Sequence, residues 1–166
     1  MSIVVSGNGR LTCEGRSYRC ALGRAGVTFD KREGDGATPI GTFPLRRVLF
    51  RADRLARPPT RLPAEPIAPD DGWCDDPSDL RHYNAQVRLP HPSRCERLWR
   101  GDGVYDVIVV LGHNDDPPVP GLGSAIFLHV ARADYRPTEG CVALALTDLL
   151  DVLRRVDDAT TLTVGS

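Results

Sequence analysis

The amino-acid sequence predicts a mainly β domain that ends in one short C-terminal helix and a closing strand. Three observations carry this. Fourteen Pro and sixteen Gly are scattered along the 166 residues, leaving only short segments between turn signals. Those segments alternate in polarity or are rich in β-branched residues. Helical periodicity occurs at one place, near the C-terminus.

In chain order, the expected strands are SIVVSG, RSYRCALG, GVTFD, TFPLRRVLF, AQVRLP, YDVIVVLG, AIFLHVA and TLTVGS. Residues 53–80 include RPPTRLPAEPIAPDDGWCDDPSD. So much Pro and Asp predicts a long surface excursion, pinned to the body by burial of Trp73. The helix is expected from Thr147 as N-cap. Asp148 suits its positive start, and Leu149, Leu150, Val152, Leu153 and Val156 recur on one face. Arg154 and Arg155 fall at its C-terminal end, where cations are favoured. No internal repeat interrupts the chain, so residues 1–166 are expected to form one domain.

Composition excludes several classes. A net charge of -1 gives no footprint for nucleic acid or an anionic membrane surface. The basic residues are twenty Arg and one Lys, Lys31, matched by acidic residues. The longest apolar run, residues 107–112, has the length of a strand and not of a membrane span. The start, MSIVVSGNGRLTCEG, has neither a basic n-region nor a long apolar h-region. A cytoplasmic location is therefore expected, or a periplasmic one if export uses another route. The five cysteines (13, 20, 74, 95 and 141) are irregularly spaced with no Cys-x-x-Cys pair, so free thiols are expected. No metal and no cofactor is expected.

AIFLHVARADYRPTEGCVALA, from Ala125 to Ala145, holds the candidate chemistry. It places His129 on an apolar strand and Cys141 after a Gly hinge, with a turn-rich connection between them. An imidazole can take a thiol proton and, as the cation, lower the thiol pKa. Gly140 permits a backbone angle that turns successive N–H groups into one pocket, where they can hold an oxyanion. A hairpin-like return beside the first strand would let thiol and imidazole face each other. On these residues alone the favoured reading is non-catalytic, with Cys141 a buried filler and His129 a satisfied core side chain.

A second stretch bears on that choice: DKREGDGATPIGTFPL, residues 30–45. Together with LHVARADYRPTEGC it resembles the L,D-transpeptidase catalytic domain family, also called YkuD. Lys31, Gly34, Asp35, Thr38, Pro39, Gly41 and Phe43 match the family's early KxxGDxxTPxGxF-like element. His129, Thr138, Gly140 and Cys141 match its late His and Ser/Thr-His-Gly-Cys signature. The resemblance implies a β-sandwich or barrel catalytic domain and a bacterial cell-wall enzyme with a cysteine nucleophile. Its substrate would be a peptidoglycan stem peptide, cut between an L-centre and a terminal D-alanine through a thioester. Cys141 would then be the nucleophile, His129 the base oriented by the Val130 carbonyl, and the Gly140 and Cys141 amides the oxyanion hole, with Glu139 as a further donor.

The sequence departs from the family where Glu139 replaces the signature His and where Ala143 replaces an Arg. Glu139 is expected to face outward or to pair with Arg132 or Arg136, because a carboxylate aimed at the thiol opposes its ionisation. Arg132 and Arg136 are candidates for a terminal carboxylate, with Thr138, Glu139 and Asn114 as further substrate contacts. The early element reads as two tight turns in which Asp35 is a cap, not as a place of catalysis. In the expected cytoplasmic location the chain would meet wall fragments and not intact wall. The expected activity is therefore L,D-carboxypeptidase trimming of peptidoglycan-derived peptides, ahead of L,D-transpeptidase cross-linking or non-catalytic peptide binding.

Overall fold

The computed structural model describes residues 1–166. β1 (Ser2–Ser6), β2 (Arg10–Cys13) and β3 (Arg16–Arg19) form an antiparallel meander. Each buries alternate residues: Ile3 and Val5, Leu11 and Cys13, Tyr18. A sheet with one wet face demands that period. The two-residue strands β4 (Val27–Thr28) and β5 (Thr38–Pro39) pair in parallel and bracket the Lys31–Gly36 turns. β6 (Gly41–Phe50) follows, then β7 (Ala64–Pro66), which lies parallel on it. β8 (Asp71–Cys74), β9 (Gln86–Arg88) and β10 (Cys95–Arg97) make a separate antiparallel sheet with β8 in the middle. β11 (Val107–Leu111), β12 (Phe127–Val130), β13 (Val142–Leu144), α1 (Leu146–Arg155) and β14 (Thr161–Val164) complete the chain.

The main sheet runs β13-β12-β11-β6-β14-β1-β2-β3. Its ends nearly meet. The chain beyond β3 bridges to β13, with Ala21 N–H donating to the Ala143 carbonyl at 2.8 Å and Ala143 N–H returning to Ala21 at 3.0 Å. The sheet is thus an almost closed barrel, which leaves few unpaired edges. Its seam lies beside Cys141.

Two cores flank the wall containing β11 and β12. Inside the barrel, Val107, Val109 and Leu128 pack with Ile3, Leu11, Leu162 and the helix residues Leu149, Val152 and Leu153. Outside it, Ile108, Val110 and Phe127 pack with Trp73, Leu98 and Tyr105 of the smaller sheet and its connections. β11 is apolar throughout because both of its faces are covered. Cys141 belongs to the outer core.

Three expectations change. Residues 53–80 are not all surface excursion, since β7 and β8 lie within them and all four residues of β8 are buried. Trp73 does anchor the segment, and its indole N–H donates to Asn84 Oδ1 at 2.9 Å. The helix begins at Leu146 with Ala145 as N-cap and no side-chain cap, so Thr147 sits inside the first turn. Finally, β12 and β13 are parallel rather than a hairpin. Residues 131–141 loop back to the starting end of β12, held by Thr138 N–H to the Leu22 carbonyl at 2.9 Å and Arg24 N–H to the Thr138 carbonyl at 2.8 Å.

Candidate active site

The parallel register sets the relation between thiol and imidazole. His129 is opposite Ala143, and Leu128 is opposite Val142. Cys141, one residue before β13, therefore falls beside Phe127. Phe127, His129 and Cys141 face the same side of the wall, because side chains alternate along a strand. The thiol and imidazole are thus offset along the strands instead of directly opposed, and no hydrogen bond joins them. Cys141 Sγ donates to the Ala125 carbonyl at 3.2 Å and accepts the Phe127 N–H at 3.4 Å.

The turn before the cysteine is built by Thr138. Its Oγ1 accepts the Gly140 N–H at 3.1 Å and donates to the Cys141 carbonyl at 2.7 Å. Gly140 takes φ of 144°, and a Cβ there would stand 2.8 Å from the Ala37 carbonyl oxygen, so only glycine fits. The Gly140 amide is engaged by Thr138, whereas the Glu139 and Cys141 amides donate to no protein acceptor.

Cys141 lines a cleft of about 380 Å³ with Lys31, Glu33, Glu96, Tyr105 and Ser124. Burial pushes its thiol pKa up to about 12, and the neighbouring Glu96 adds to this. The Phe127 amide and Lys31 act in the other direction. His129 lines an adjoining cleft of about 330 Å³ with Arg100, Arg132 and Arg136. Glu96, Tyr105 and Glu139 border both clefts. His129 Nδ1 is 3.0 Å from the Val130 carbonyl, the contact expected from sequence, and its ring meets Tyr105 edge-on at 5.3 Å. Burial lowers its pKa to about 4. Thiol and imidazole are both neutral at pH 7, so the ion pair expected from sequence is not preformed.

Glu139 does face outward, but its partner is Arg24 at 3.1 Å and neither Arg132 nor Arg136. Arg132 pairs with Asp102 at 3.3 Å and Arg136 with Asp134 at 3.5 Å. Both arginines lie with the imidazole rather than the thiol. Asn114 reaches neither cleft. Its amide nitrogen donates to the Val119 and Gly123 carbonyls at 3.0 and 2.9 Å, and its Oδ1 accepts the Val119 N–H at 2.8 Å. It is a loop brace.

The early element caps a turn, as expected, with Asp35 accepting the Arg32 and Ala37 N–H groups at 2.9 Å each. It also walls the thiol cleft. Lys31 Nζ bonds Asp35 at 2.5 Å and the Ala37 carbonyl at 2.8 Å, with its side chain almost wholly covered. Glu33 accepts hydrogens from Tyr83 and Ser124 at 2.6 Å each. A single lysine in a chain of twenty arginines was a legible signal for Lys31, since a compact ammonium and a planar guanidinium are not interchangeable. Glu96, Tyr105 and Ser124 had no such signal.

The profile of the L,D-transpeptidase catalytic domain family, YkuD, matches residues 2–164. No curated protein matches the chain. Among solved structures, an L,D-transpeptidase from Mycobacterium smegmatis aligns with 99% of this chain and 58% of its own at 14% identity and a TM-score of 0.48. L,D-transpeptidase 1 from Mycobacterium tuberculosis aligns with 99% and 58% at 13% identity and 0.45. The helical cell shape determining protein Pgp2 from Campylobacter jejuni aligns with 99% and 47% at 14% identity and 0.49. The present chain spans about half the length of these structures.

Proposed function

The chain belongs to the L,D-transpeptidase catalytic domain family, and on that premise we propose that it forms a thioester on Cys141 from a peptidoglycan stem peptide. The bond cut joins the L-centre of the third, diamino residue to the terminal D-alanine. One observation carries the reading. Cys141 follows a glycine-only turn in a cleft, and its amide has no intramolecular acceptor. A carbonyl oxygen seated there meets that donor as it gains charge.

In this mechanism the thiol leaves the Ala125 carbonyl and passes its proton to His129 Nε2, directly or through one water. A neutral imidazole, held through Nδ1 by Val130, is the form that accepts it. Sulfur attacks the carbonyl carbon, and the oxyanion is met by the Cys141 and Glu139 amides. Gly140 contributes mainly through its backbone angle while its N–H stays on Thr138. Collapse of the adduct returns the proton to the departing amine, and D-alanine leaves. Arg132 and Arg136, beside His129, suit the carboxylate of that leaving group. Water then attacks the thioester, with His129 as base, and frees the acid and the thiol.

Water is favoured as acceptor because Cys141 is only 8% exposed, which limits a bulky second peptide. The activity proposed is therefore L,D-carboxypeptidase trimming. An amine at the same step gives an L,D-transpeptidase cross-link. Mass spectrometry of a disaccharide tetrapeptide after incubation separates them: loss of one D-alanine is expected, and a joined dimer means transpeptidation. An unchanged substrate, with no thiol adduct from a carbapenem, would overturn the enzymatic reading.

A further inference from the structure

A second cluster of reactive side chains lies outside both clefts, where the smaller sheet closes the 75–94 segment. Cys74 on β8 and Cys95 on β10 are register partners. His91 joins them, and the three ligand atoms lie within 4.8 Å of one another. Asp79 stands beside the group, with its Oδ2 2.9 Å from His91 Nε2 and 3.8 Å from Cys74 Sγ. That carboxylate is itself fixed by Ser93 Oγ at 2.7 Å and by the His82 and Arg81 N–H groups at 3.0 and 3.2 Å on Oδ1.

We propose that Cys74, His91 and Cys95, with Asp79 as fourth ligand, bind one zinc ion. Two sulfurs and an imidazole select a borderline-soft divalent cation over calcium or magnesium. Tetrahedral zinc, at about 2.3 Å from sulfur and about 2.0 Å from nitrogen or oxygen, needs ligand atoms roughly 3.3–3.8 Å apart. Movements of about an ångström bring the three atoms of Cys74, His91 and Cys95 to that size, and Asp79 turns in as the fourth ligand. Binding displaces both thiol protons and leaves His91 neutral.

The pair could instead form a disulfide. Asp75 N–H donates to the Arg94 carbonyl, so Cys74 and Cys95 form the non-hydrogen-bonded kind of cross-strand pair, whose Cα spacing of about 4.5 Å falls within disulfide range. A disulfide has no use for His91, which stands near both sulfurs, or for Asp79, which stands near that of Cys74. Their placement favours the ion.

The ion would tie the two ends of the 75–94 segment, which carries Tyr83 and Asn84. Tyr83 holds Glu33, and Asn84 Oδ1 accepts the Ala125 N–H at 3.0 Å. Cys95 also directly precedes Glu96 on the wall between the clefts. The role assigned is structural, setting one side of the thiol cleft without touching substrate.

The test uses the full chain, reduced, loaded with zinc alone or cobalt alone and dialysed. We expect one equivalent of zinc retained by elemental analysis, and in the cobalt form thiolate-to-metal absorption with the intense visible bands of a tetrahedral site. Cys141→Ala should keep both. Cys95→Ser should weaken retention at least tenfold and reduce the charge-transfer band by about half. If Cys95→Ser does not fold, His91→Gln must lose the metal while keeping its circular dichroism. No retained zinc, a cobalt spectrum unchanged by the loss of Cys95 or His91, or a Cys74–Cys95 disulfide in protein purified without reductant would overturn the proposal.

Discussion

His129 and Cys141 face the same side of two parallel neighbouring strands but are out of step, because Ala143 occupies the place opposite His129. The imidazole bonds the Val130 carbonyl and the sulfur bonds the Ala125 carbonyl. Proton transfer between them requires the thiol to turn away from Ala125. His129→Gln should therefore lower kcat by about 10²–10⁴-fold, while Cys141→Ala abolishes both turnover and carbapenem acylation. Tetrapeptide hydrolysis and intact mass measure the two effects.

The same relation sets a pH dependence. With the imidazole at about 4 and the thiol at about 12, the productive neutral pair spans the range between them. kcat/KM should rise only on an acid limb governed by His129 and hold level through neutral pH. Iodoacetamide alkylation of Cys141 in the free protein should still be increasing at about pH 9, because thiolate is scarce below its pKa. An alkylation plateau near pH 6 would instead mean a preformed ion pair.

Gly140 is tested by one methyl group. At φ of 144°, with the Ala37 carbonyl oxygen 2.8 Å from the added carbon, Gly140→Ala must shift the turn that aims the Cys141 amide. Strain on the order of 1–3 kcal/mol is expected, read as a lower denaturation midpoint. The kcat should fall further than that of an Ala substitution at Gly121, where a Cβ meets nothing and only the positive φ is unfavourable.

Lys31 links the early motif to Cys141. Its ammonium holds Asp35 and the Ala37 carbonyl and counts among the groups that favour a Cys141 thiolate. Lys31→Met leaves the Ala37 carbonyl unpartnered and Asp35 held only by the Arg32 and Ala37 N–H groups, at a cost of about 1–3 kcal/mol. It should also slow carbapenem acylation. Lys31→Arg should recover little, since a planar fork does not fit the compact ammonium site.

The parts of the fold legible from sequence are those that periodicity marks. β1, β6, β11 and β12 declare themselves by alternation or by a continuous β-branched run. β8 and β10 do not, because DGWC and CER are too short for a pattern and lie among turn residues that signal excursion. At the candidate site, Cys141, Gly140 and the Val130–His129 contact were expected from the family resemblance. The parallel return of β13, the Arg24 partner of Glu139 and the cleft walls from Glu33 and Glu96 depend on which distant segments meet, and local residue order carries no trace of that. The cluster at Cys74, His91 and Cys95 escaped for the same reason: two ligands are brought together by strand register rather than by close spacing.

Two histidines, His129 buried and His113 partly buried, contribute to the acid stability. His129 and His113 both have pKa values near 4, each lowered chiefly by burial. The unfolded chain binds their protons near pH 6.5. Above that value both states are neutral and the contribution is constant. As pH falls from about 6.5 to about 4 the unfolded state gains protons that the folded state refuses, so stability drops. The loss approaches about 3 kcal/mol per histidine as an upper bound, from 1.36 kcal/mol per pKa unit. His113 Nδ1 is buried without a hydrogen-bond partner, and its ring lies edge-on to Phe43 at 5.4 Å, so an apolar replacement removes the titration without breaking a bond on that nitrogen. The urea midpoint of the native chain should fall between pH 7 and pH 4.5, and His113→Leu should show a shallower fall over the same interval. Equal slopes in the two proteins would mean that His113 does not titrate differently on unfolding.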